Sequence, residues 1–175
     1  LFEPHAHRHP TMIPHDHATY CHIAPLDKGE NVRREICLTL EEMGIQPESS
    51  HHEQGPGQNE IDFKYSDALT AADNFLTFKA TVATVAASNG LYASFDPKPL
   101  EGKSGNGVHI NMSLARNGMN MSGSKESDHF IAGIMAHIRE ITAFLNPLPS
   151  SYKRLGEMNA PGYITWSPQN RSQLI

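Results

Sequence analysis

Apolar side chains recur at helical spacing in three stretches of the chain. In the first, Val32, Ile36, Leu40 and Met43 follow one another at intervals of four, four and three residues. Asp27 is the predicted N-terminal cap, and the glycine at position 44 is the predicted left-handed terminator. The pattern therefore predicts a helix between positions 27 and 44.

Two further helices are predicted by the same periodicity. One begins at Ser66 or Asp67 and ends at Gly90, and small residues are frequent on its apolar face (Leu69, Ala72, Leu76, Ala80, Ala83 and Ala87). The other spans residues 128–145 and is stopped by the Asn-Pro pair at 146–147. Its apolar side holds Ile131, Ile134, Met135, Ile138, Ile141 and Leu145.

Shorter segments show the alternation or apolar content of strands. These are residues 45–52, 60–65, 91–95, 108–113 and 163–166, with a further short strand possible at 20–23. Residues 1–25 lack periodicity and predict an irregular loop, and residues 115–127 are polar and predict a surface loop. Since neither a repeat nor a linker divides the chain, the pattern predicts one domain.

Composition and charge exclude several classes of protein. The 175 residues are 38% hydrophobic, which suffices for a sizeable core, and the net charge of −5 disfavours a nucleic-acid binder. No apolar run is long enough to span a membrane. Cys21 and Cys37 do not form a CxxC pair, so neither a disulfide scaffold nor a cysteine zinc site is expected. The chain begins with Leu1 rather than Met and stops without a cap signal, so we expect a piece of a longer protein.

Glu53 and Glu60 lie on either side of a Gly-Pro-Gly turn. Two neighbouring strands joined by such a turn aim both carboxylates at one point, which is costly unless a hard cation lies between them. The alternative is a solvated hairpin that carries ordinary surface acids. The stretch thus indicates a metal site, although two glutamates are by themselves a weak motif.

The loop-strand unit at residues 104–113 contains a second candidate site. Two glycines allow close approach of a ligand to the backbone, and strand alternation places His109, Asn111 and Ser113 on one face. A histidine beside two glutamates suits magnesium or manganese, while Asn111 and Ser113 suit hydrogen bonding to a nucleotide. A hairpin with a solvated polar face is the alternative.

Arginine and histidine supply the remaining candidate chemistry. Arg154 and Arg171 present planar forks that suit a carboxylate or a phosphate, although a solvated surface arginine is the commoner case. His5, His7 and His9 alternate near the start of the chain, with His15, His17 and His22 after them. On a strand they could bind zinc or nickel, but a variable surface loop is the simpler interpretation.

From residue 24 to its end, the sequence resembles the catalytic domain of bacterial type I glutamine synthetase. Five ordered blocks carry the resemblance: HHE at 51–53 with GQNE at 57–60, KPL at 98–100, GNGVH at 105–109, SYKRL at 151–155, and WSPQNRS at 166–172. Members transfer the γ-phosphate of ATP to the side chain of glutamate, and ammonia then displaces phosphate. The resemblance implies that function here, with ATP as a substrate and two to three Mg²⁺ or Mn²⁺ ions in each site.

The resemblance also implies roles for individual residues. Glu53 and Glu60 would bind one metal ion and His109 another. Gly105, with Ser104 beside it, would hold the amino acid, and Arg154 would bind the α-carboxylate of glutamate.

On the nucleotide side, the resemblance assigns Tyr65, Asn111 and Ser113 to contacts with ATP. Arg171 would face the phosphates and the transferring phosphoryl group. Arg154 and Arg171 are thus the expected catalytic arginines. Positioning and charge neutralisation are what phosphoryl transfer requires, and metal ions with arginine supply both.

The expected architecture is α+β, with a curved antiparallel sheet, or half-barrel, that carries the ligands and helices on its outer face. The implied assembly is a cytoplasmic homo-oligomer, a dodecamer in the family, with active sites shared between subunits. We expect residues 1–175 to be a partial catalytic domain. The amino-terminal domain, a Glu-x-Glu metal strand and a carboxy-terminal part would lie outside it, so the fragment alone is expected to be inactive.

One departure from the family pattern concerns the acceptor. Asn159 stands where the family usually has a glutamate that helps to take a proton from ammonium, and an amide cannot act as a base at neutral pH. Glu157 is two positions away. Two alternatives follow: a γ-glutamyl–amine ligase that acts on a polyamine or another amine, and a catalytically silent relative. The presence of Glu53, Glu60 and His109 disfavours the silent relative.

Overall fold

Four helices and six short strands occur in the part of the chain that the structure describes, which is residues 1–4, 10–157, 159–170 and 173–175 of a computed structural model. In chain order they are β1 (Phe2–Pro4), β2 (Pro10–Pro14), α1 (Glu30–Glu42), β3 (Pro47–His52), β4 (Asn59–Phe63), α2 (Ala68–Ser88), β5 (Ala115–Arg116), β6 (Met119–Asn120), α3 (Lys125–Leu145) and α4 (Pro149–Arg154).

The strands form three antiparallel pairs, β1–β2, β3–β4 and β5–β6. This arrangement confirms the α+β class, while one continuous curved sheet stays a prediction. In β3–β4, His51 lies opposite Glu60 and His52 opposite Asn59. Since side chains directly across an antiparallel pair are close neighbours, this register decides which groups meet at the turn.

The chain forms two compact units. The first comprises Leu1–Phe95 with Pro99–Lys103, and the second comprises Asp96–Lys98 with Ser104–Ile175. No helix in the described residues is long and apolar enough to cross a membrane.

The core of the first unit lies between α1, α2 and the β3–β4 hairpin. Leu40 and Ala86 are 0% exposed, and they are packed with the other core residues (Val32, Ile36, Ile45, Val82, Val85 and Leu91). Full burial of a leucine side chain contributes about 1.5–3 kcal/mol. The interface therefore fixes α1 beneath the hairpin.

The first helix begins later than its predicted cap. Gly29 is the N-cap. Asp27 lies two residues before it and accepts a hydrogen bond of 2.8 Å from the N–H of Gly29. The predicted face is confirmed for the residues up to Leu40, whereas Met43 is the exposed C-cap. Gly44 has φ +83°, as its predicted role as terminator requires.

The second helix has the predicted ends but a different buried face. Asp67 accepts a hydrogen bond from the N–H of Thr70 as N-cap, and Gly90 has φ +72°. The buried residues are Thr81, Val82, Val85 and Ala86, and the predicted Leu69 and Leu76 are exposed. The helix is apolar on more than one side, so periodicity could not select the side that α1 covers.

Wrong secondary-structure predictions occur in both units. Residues 104–114 and 163–166 have no strand, and residues 91–95 contain only an isolated bridge from Tyr92 to Phe2. Residues 20–23 lie at a turn. The irregular loop predicted for residues 1–25 is also wrong in part, because β1 pairs with β2 there. The predicted loop at 115–127 instead contains the β5–β6 hairpin, whose turn residues Asn117 and Gly118 both have positive φ.

The third helix starts at Lys125 because Ser124 accepts a hydrogen bond from the N–H of Ser127. Lys125 lies three residues before the predicted start at position 128. The short helix α4 was not predicted, although Pro149 at its first turn is a known start signal.

Candidate functional site

The β3–β4 hairpin brings one imidazole and two carboxylates together. Ligand atoms of His51, Glu53 and Glu60 all lie within 4.8 Å of one another. His51 Nε2 is 3.8 Å from Glu60 Oε2, in line with the register that places these residues opposite each other. Each of the three residues is partly buried. The predicted convergence of Glu53 and Glu60 is confirmed, and His51 joins them.

The turn between the two glutamates is held by its own backbone. The N–H of Glu53 donates to the carbonyl of Gln58 at 2.8 Å, and the N–H of Gln58 donates to the carbonyl of Gly55 at 3.0 Å. Gly57 has φ +62°, and a Cβ there would lie 3.1 Å from the backbone nitrogen of His15. The loop thus requires glycine at position 57 and closes tightly enough to aim both carboxylates inward.

The surroundings of Glu60 disfavour its charged form and raise its pKa. Burial, then Asp62, then Glu53 raise the pKa of Glu60, and His51 opposes them only in part. A divalent cation would reverse this balance, because it neutralises both carboxylates. The donor set of two carboxylate oxygens and an imidazole nitrogen fits Mg²⁺ or Mn²⁺.

A buried ion pair lies directly behind this cluster. His52 Nε2 donates to Asp16 Oδ1 at 2.8 Å, and His52 Nδ1 donates to the carbonyl of Glu53 at 2.6 Å. Both ring nitrogens of His52 therefore lie within hydrogen-bond distance of an oxygen atom. Asp16 also accepts from the backbone N–H groups of Ala18 at 3.2 Å and Gly57 at 3.1 Å. The pair therefore holds both ends of the loop that carries Glu53.

A second buried ion pair fixes the start of β4. Arg33 donates to both oxygens of Asp27, at 3.2 and 2.6 Å, and Arg33 Nη1 also donates to Asn59 Oδ1 at 2.6 Å. Asn59 in turn donates to the carbonyl of Gly57 at 2.9 Å. Since Asn59 directly precedes Glu60, this chain of contacts ties the second carboxylate to α1.

The second unit holds the predicted amino-acid-binding residues together. A Cβ at Gly105 would lie 3.0 Å from Arg154 Cδ and would clash with the carbonyl oxygen of Pro97, and one at Gly107 would lie 2.6 Å from Arg154 Nη2. Arg154 thus lies against the glycine loop, as only glycine permits. Burial lowers the pKa of Arg154.

The glycine loop is anchored by residues that the sequence prediction did not include. Asn106 donates through its backbone N–H to the carbonyl of Pro97 at 3.0 Å, and through its amide to the carbonyl of Asp96 at 2.8 Å. The carboxylate of Asp96 accepts from Ser150 Oγ at 3.1 Å, which connects the loop to α4. Lys98, whose side chain is 6% exposed, forms an ion pair with Glu157 at 2.5 Å.

The remaining predicted site residues are exposed or lie outside the described residues. His109, Asn111 and Ser113 are exposed in a segment without a strand, so the strand argument for their common face is wrong. Tyr65 is 90% exposed. Arg171 and the histidines at 5, 7 and 9 lie outside the described residues. The roles suggested for all of these residues stay predictions.

Among the described residues, His15, His17 and His22 do not belong to a group with metal-ligand spacing. His15 Nδ1 pairs with Glu3 at 2.6 Å, and His22 contacts Thr19. The described clusters with ligand spacing are the one at His51 and a buried one of Asp16, Asp27 and His52. The latter already makes the hydrogen bonds given above, which a metal ion would have to replace.

The comparisons with known proteins identify the family of this chain. The family model for the glutamine synthetase catalytic domain matches residues 3–175. The glutamine synthetase of Clostridium saccharobutylicum is 50% identical over 184 aligned positions, which include 100% of this chain and 42% of that protein. The chain therefore belongs to the glutamine synthetase catalytic-domain family, and it spans about two fifths of the length of the curated relatives it matches.

Solved structures show the same relationship. A cryo-EM structure of Plasmodium falciparum glutamine synthetase is 36% identical with a TM-score of 0.83, and the match covers 91% of this chain and 32% of that one. A complex of GmaS with ADP is 30% identical with a TM-score of 0.76, and the match covers 92% of this chain and 41% of that one.

Proposed function

We propose that the full-length protein is a glutamate–ammonia ligase that forms glutamine from glutamate, ammonia and ATP through γ-glutamyl phosphate. The observation that carries this proposal is the convergence of Glu53 and Glu60 on one hairpin of a chain that matches the family's catalytic domain. The glutamine synthetases among its relatives support the same reaction.

In this proposal, Glu53 and Glu60 bind one divalent cation and His109 binds another. When bound, Mg²⁺ or Mn²⁺ neutralises charge that develops on the transferring phosphoryl group. The chain's own contribution is to orient the carboxylates. His52 holds the carbonyl of Glu53, and Arg33 of α1 holds Asn59, the residue before Glu60.

Glutamate is proposed to bind at the glycine loop. Its α-carboxylate would meet the guanidinium of Arg154, which is half-buried and lies across Gly105 and Gly107. Ser104 and the backbone near Gly105 would receive the amino-acid end. Burial strengthens a charge-assisted pair between Arg154 and a carboxylate, because it lowers the local dielectric.

ATP is proposed to contact Tyr65, Asn111 and Ser113, with Arg171 at its phosphates. Both Tyr65 and Asn111 are exposed, so their side chains are accessible to a ligand. The related GmaS structure in complex with ADP supports a nucleotide site in this fold. Arg171 would stabilise charge on the phosphoryl group during transfer.

The proposed setting is a cytoplasmic homo-oligomer, a dodecamer as in the family, with sites shared between subunits. Residues 1–175 are proposed to be part of one catalytic domain, in which β3–β4 belongs to a longer curved sheet. In that case other segments complete each active site, and a 175-residue fragment has no activity by itself.

Asn159 favours one specific alternative, a γ-glutamyl–amine ligase. Asn159 is exposed and has φ +63°, at a turn after α4. An amide at this position cannot remove a proton from ammonium. An enzyme that uses an organic amine as the acceptor is therefore the alternative. The relatives named glutamine synthetase favour ammonia.

Substitution of the carboxylates tests the proposed metal site. We expect Glu53→Gln and Glu60→Gln each to reduce glutamate-dependent phosphate release by at least about a hundredfold, since each leaves one carboxylate at the site. Glu42→Gln, an exposed position on α1, is the matched control and should retain full activity. Wild-type activity in both hairpin variants would contradict the proposal.

A further inference from the structure

His51 has a ring nitrogen without a partner at the centre of the candidate site. Its Nε2 is buried and makes no hydrogen bond, although the side chain as a whole is 23% exposed. A buried polar atom without a partner costs free energy, and such atoms are rare in folded proteins. The position of this nitrogen therefore requires an explanation.

A direct hydrogen bond to Glu60 does not provide that explanation. The separation of 3.8 Å between His51 Nε2 and Glu60 Oε2 exceeds the normal range for a hydrogen bond. Tyr20 contacts the imidazole edge-on, with 5.2 Å between ring centroids and an interplanar angle of 82°. The register of β3–β4 fixes the backbone on both sides, so the separation follows from the fold.

The same separation suits two ligands of one metal ion. Oxygen and nitrogen ligands lie about 2.0–2.2 Å from a small divalent cation, which places neighbouring ligand atoms about 3–4 Å apart. Glu53 supplies the third ligand atom, and all three atoms lie within 4.8 Å of one another.

We propose that His51 is an additional protein ligand of the cation held by Glu53 and Glu60, and that it shifts the preference of this site from Mg²⁺ towards Mn²⁺. The inference rests on the metal site of the proposed function and adds a ligand to it. Imidazole raises affinity for transition metals, whereas Mg²⁺ prefers oxygen ligands and retained water. The metal preference is thus set by a residue on the strand opposite Glu60.

Spin-echo spectroscopy of bound Mn²⁺ detects an imidazole nitrogen directly and does not depend on catalysis. The experiment uses the full-length protein with His109→Gln, which removes the other proposed histidine ligand. We expect ¹⁴N modulation to persist in His109→Gln and to disappear in His51→Gln/His109→Gln. His22→Gln/His109→Gln is the matched control, because His22 is exposed in the same unit, and it should retain the modulation.

Metal titration gives a second, independent readout. We expect His51→Gln to lower the ratio of Mn²⁺ to Mg²⁺ affinity by at least about tenfold. His51→Asn serves the same purpose if the glutamine variant does not fold. Modulation that persists in the double variant, or an unchanged affinity ratio in a folded His51 variant, would overturn the inference.

The inference and the proposed function can fail separately. Loss of Mn²⁺ binding in Glu53→Gln, together with His51-dependent modulation, supports the ligand assignment even if the protein shows no ligase activity. Conversely, ligase activity combined with modulation that His51→Gln does not change overturns the ligand assignment alone.

Discussion

His52 Nε2 donates a hydrogen bond of 2.8 Å to Asp16 Oδ1, and the two side chains are 0% and 1% exposed. The contact links two segments that are 36 residues apart in the sequence. On its other side the same imidazole ring holds the carbonyl of Glu53. The ion pair therefore connects the stability of the first unit with the geometry of the candidate metal site.

Replacement of His52 by phenylalanine should strongly destabilise the first unit. The variant leaves the carboxylate of Asp16 buried without its charged partner, which typically costs about 3–5 kcal/mol. Urea unfolding followed by circular dichroism measures the loss. His22→Phe, at an exposed position, is the control and should change stability by less than about 0.5 kcal/mol. Equal stability of the two variants would refute a structural role for the pair.

The contribution of Asp16 should depend on pH. Burial by itself would raise the pKa of Asp16, but hydrogen bonds from His52 and from the backbone of Lys28 and Gly57 outweigh burial and hold that pKa below its ordinary value. A depressed folded-state pKa stabilises the protein above the unfolded pKa, and the stabilisation is lost as pH falls through the folded value.

We therefore expect the stability difference between wild type and Asp16→Asn to stay constant down to about pH 5 and to shrink below about pH 4. Unfolding curves recorded across this range check the direction. A difference that grows as the pH falls would have the wrong sign for this account.

Arg33 and Arg34 are adjacent in the sequence but differ in environment. Arg33 is 5% exposed and pairs with Asp27, while Arg34 is exposed. Arg33→Met should lower the free energy of unfolding by about 3–5 kcal/mol, because it leaves the buried Asp27 carboxylate without its cation and removes a hydrogen bond to Asn59. Arg34→Met should cost less than about 0.5 kcal/mol. Thermal unfolding of both variants distinguishes them, and similar melting temperatures would count against the buried network.

Leu38 and Leu40 allow a comparable test of the core. Leu40 is 0% exposed between α1 and α2, and Leu38 is 47% exposed on the same helix. Truncation of Leu40 to alanine should cost about 2–5 kcal/mol, because it removes packed methyl groups and leaves a cavity. Leu38→Ala should be nearly neutral. The two free energies of unfolding, measured in urea, should differ by at least about 2 kcal/mol.

Gly105→Ala should impair glutamate binding more than stability. The added methyl group would meet the carbonyl of Pro97 and the side chain of Arg154, so the arginine must move. We expect the KM for glutamate to rise at least about tenfold. Gly133→Ala in α3 is the control, since a Cβ there meets no atom within 4 Å and alanine favours a helix. An unchanged KM in Gly105→Ala would show that the position of Arg154 does not affect glutamate binding.

The sequence predicted the elements whose signals are local. Gly44 and Gly90 supply the left-handed terminators, and the pair Glu53 and Glu60 flanks a recognisable turn. The Asn-Gly pair at 117–118 was also a hairpin signal, but the polarity of its surroundings led to a loop prediction. Ser124 caps α3 although position 127 holds a serine, whereas the usual capping-box signal has an acid there.

The sequence could not reveal the contacts that depend on the tertiary fold. Asp16 looks like a loop acid until His52 is brought to it across 36 residues. His51 and His52 are identical residues side by side, yet strand alternation sends one ring towards the carboxylates and the other into the interior. The exposed histidine and asparagine at 109 and 111 show the opposite error, where a pattern typical of a strand occurs in irregular backbone.

Phosphate release from ATP by the full-length protein, with glutamate and Mg²⁺ present, decides whether it is a glutamate–ammonia ligase. Ammonium is compared with no acceptor and with a panel of polyamines and simple amines. We expect phosphate release that depends on both glutamate and ammonium, with glutamine as the product. Release stimulated only by an organic amine would move the protein to the amine-ligase branch. An absence of release with Mg²⁺ or Mn²⁺ and every acceptor would contradict a ligase function.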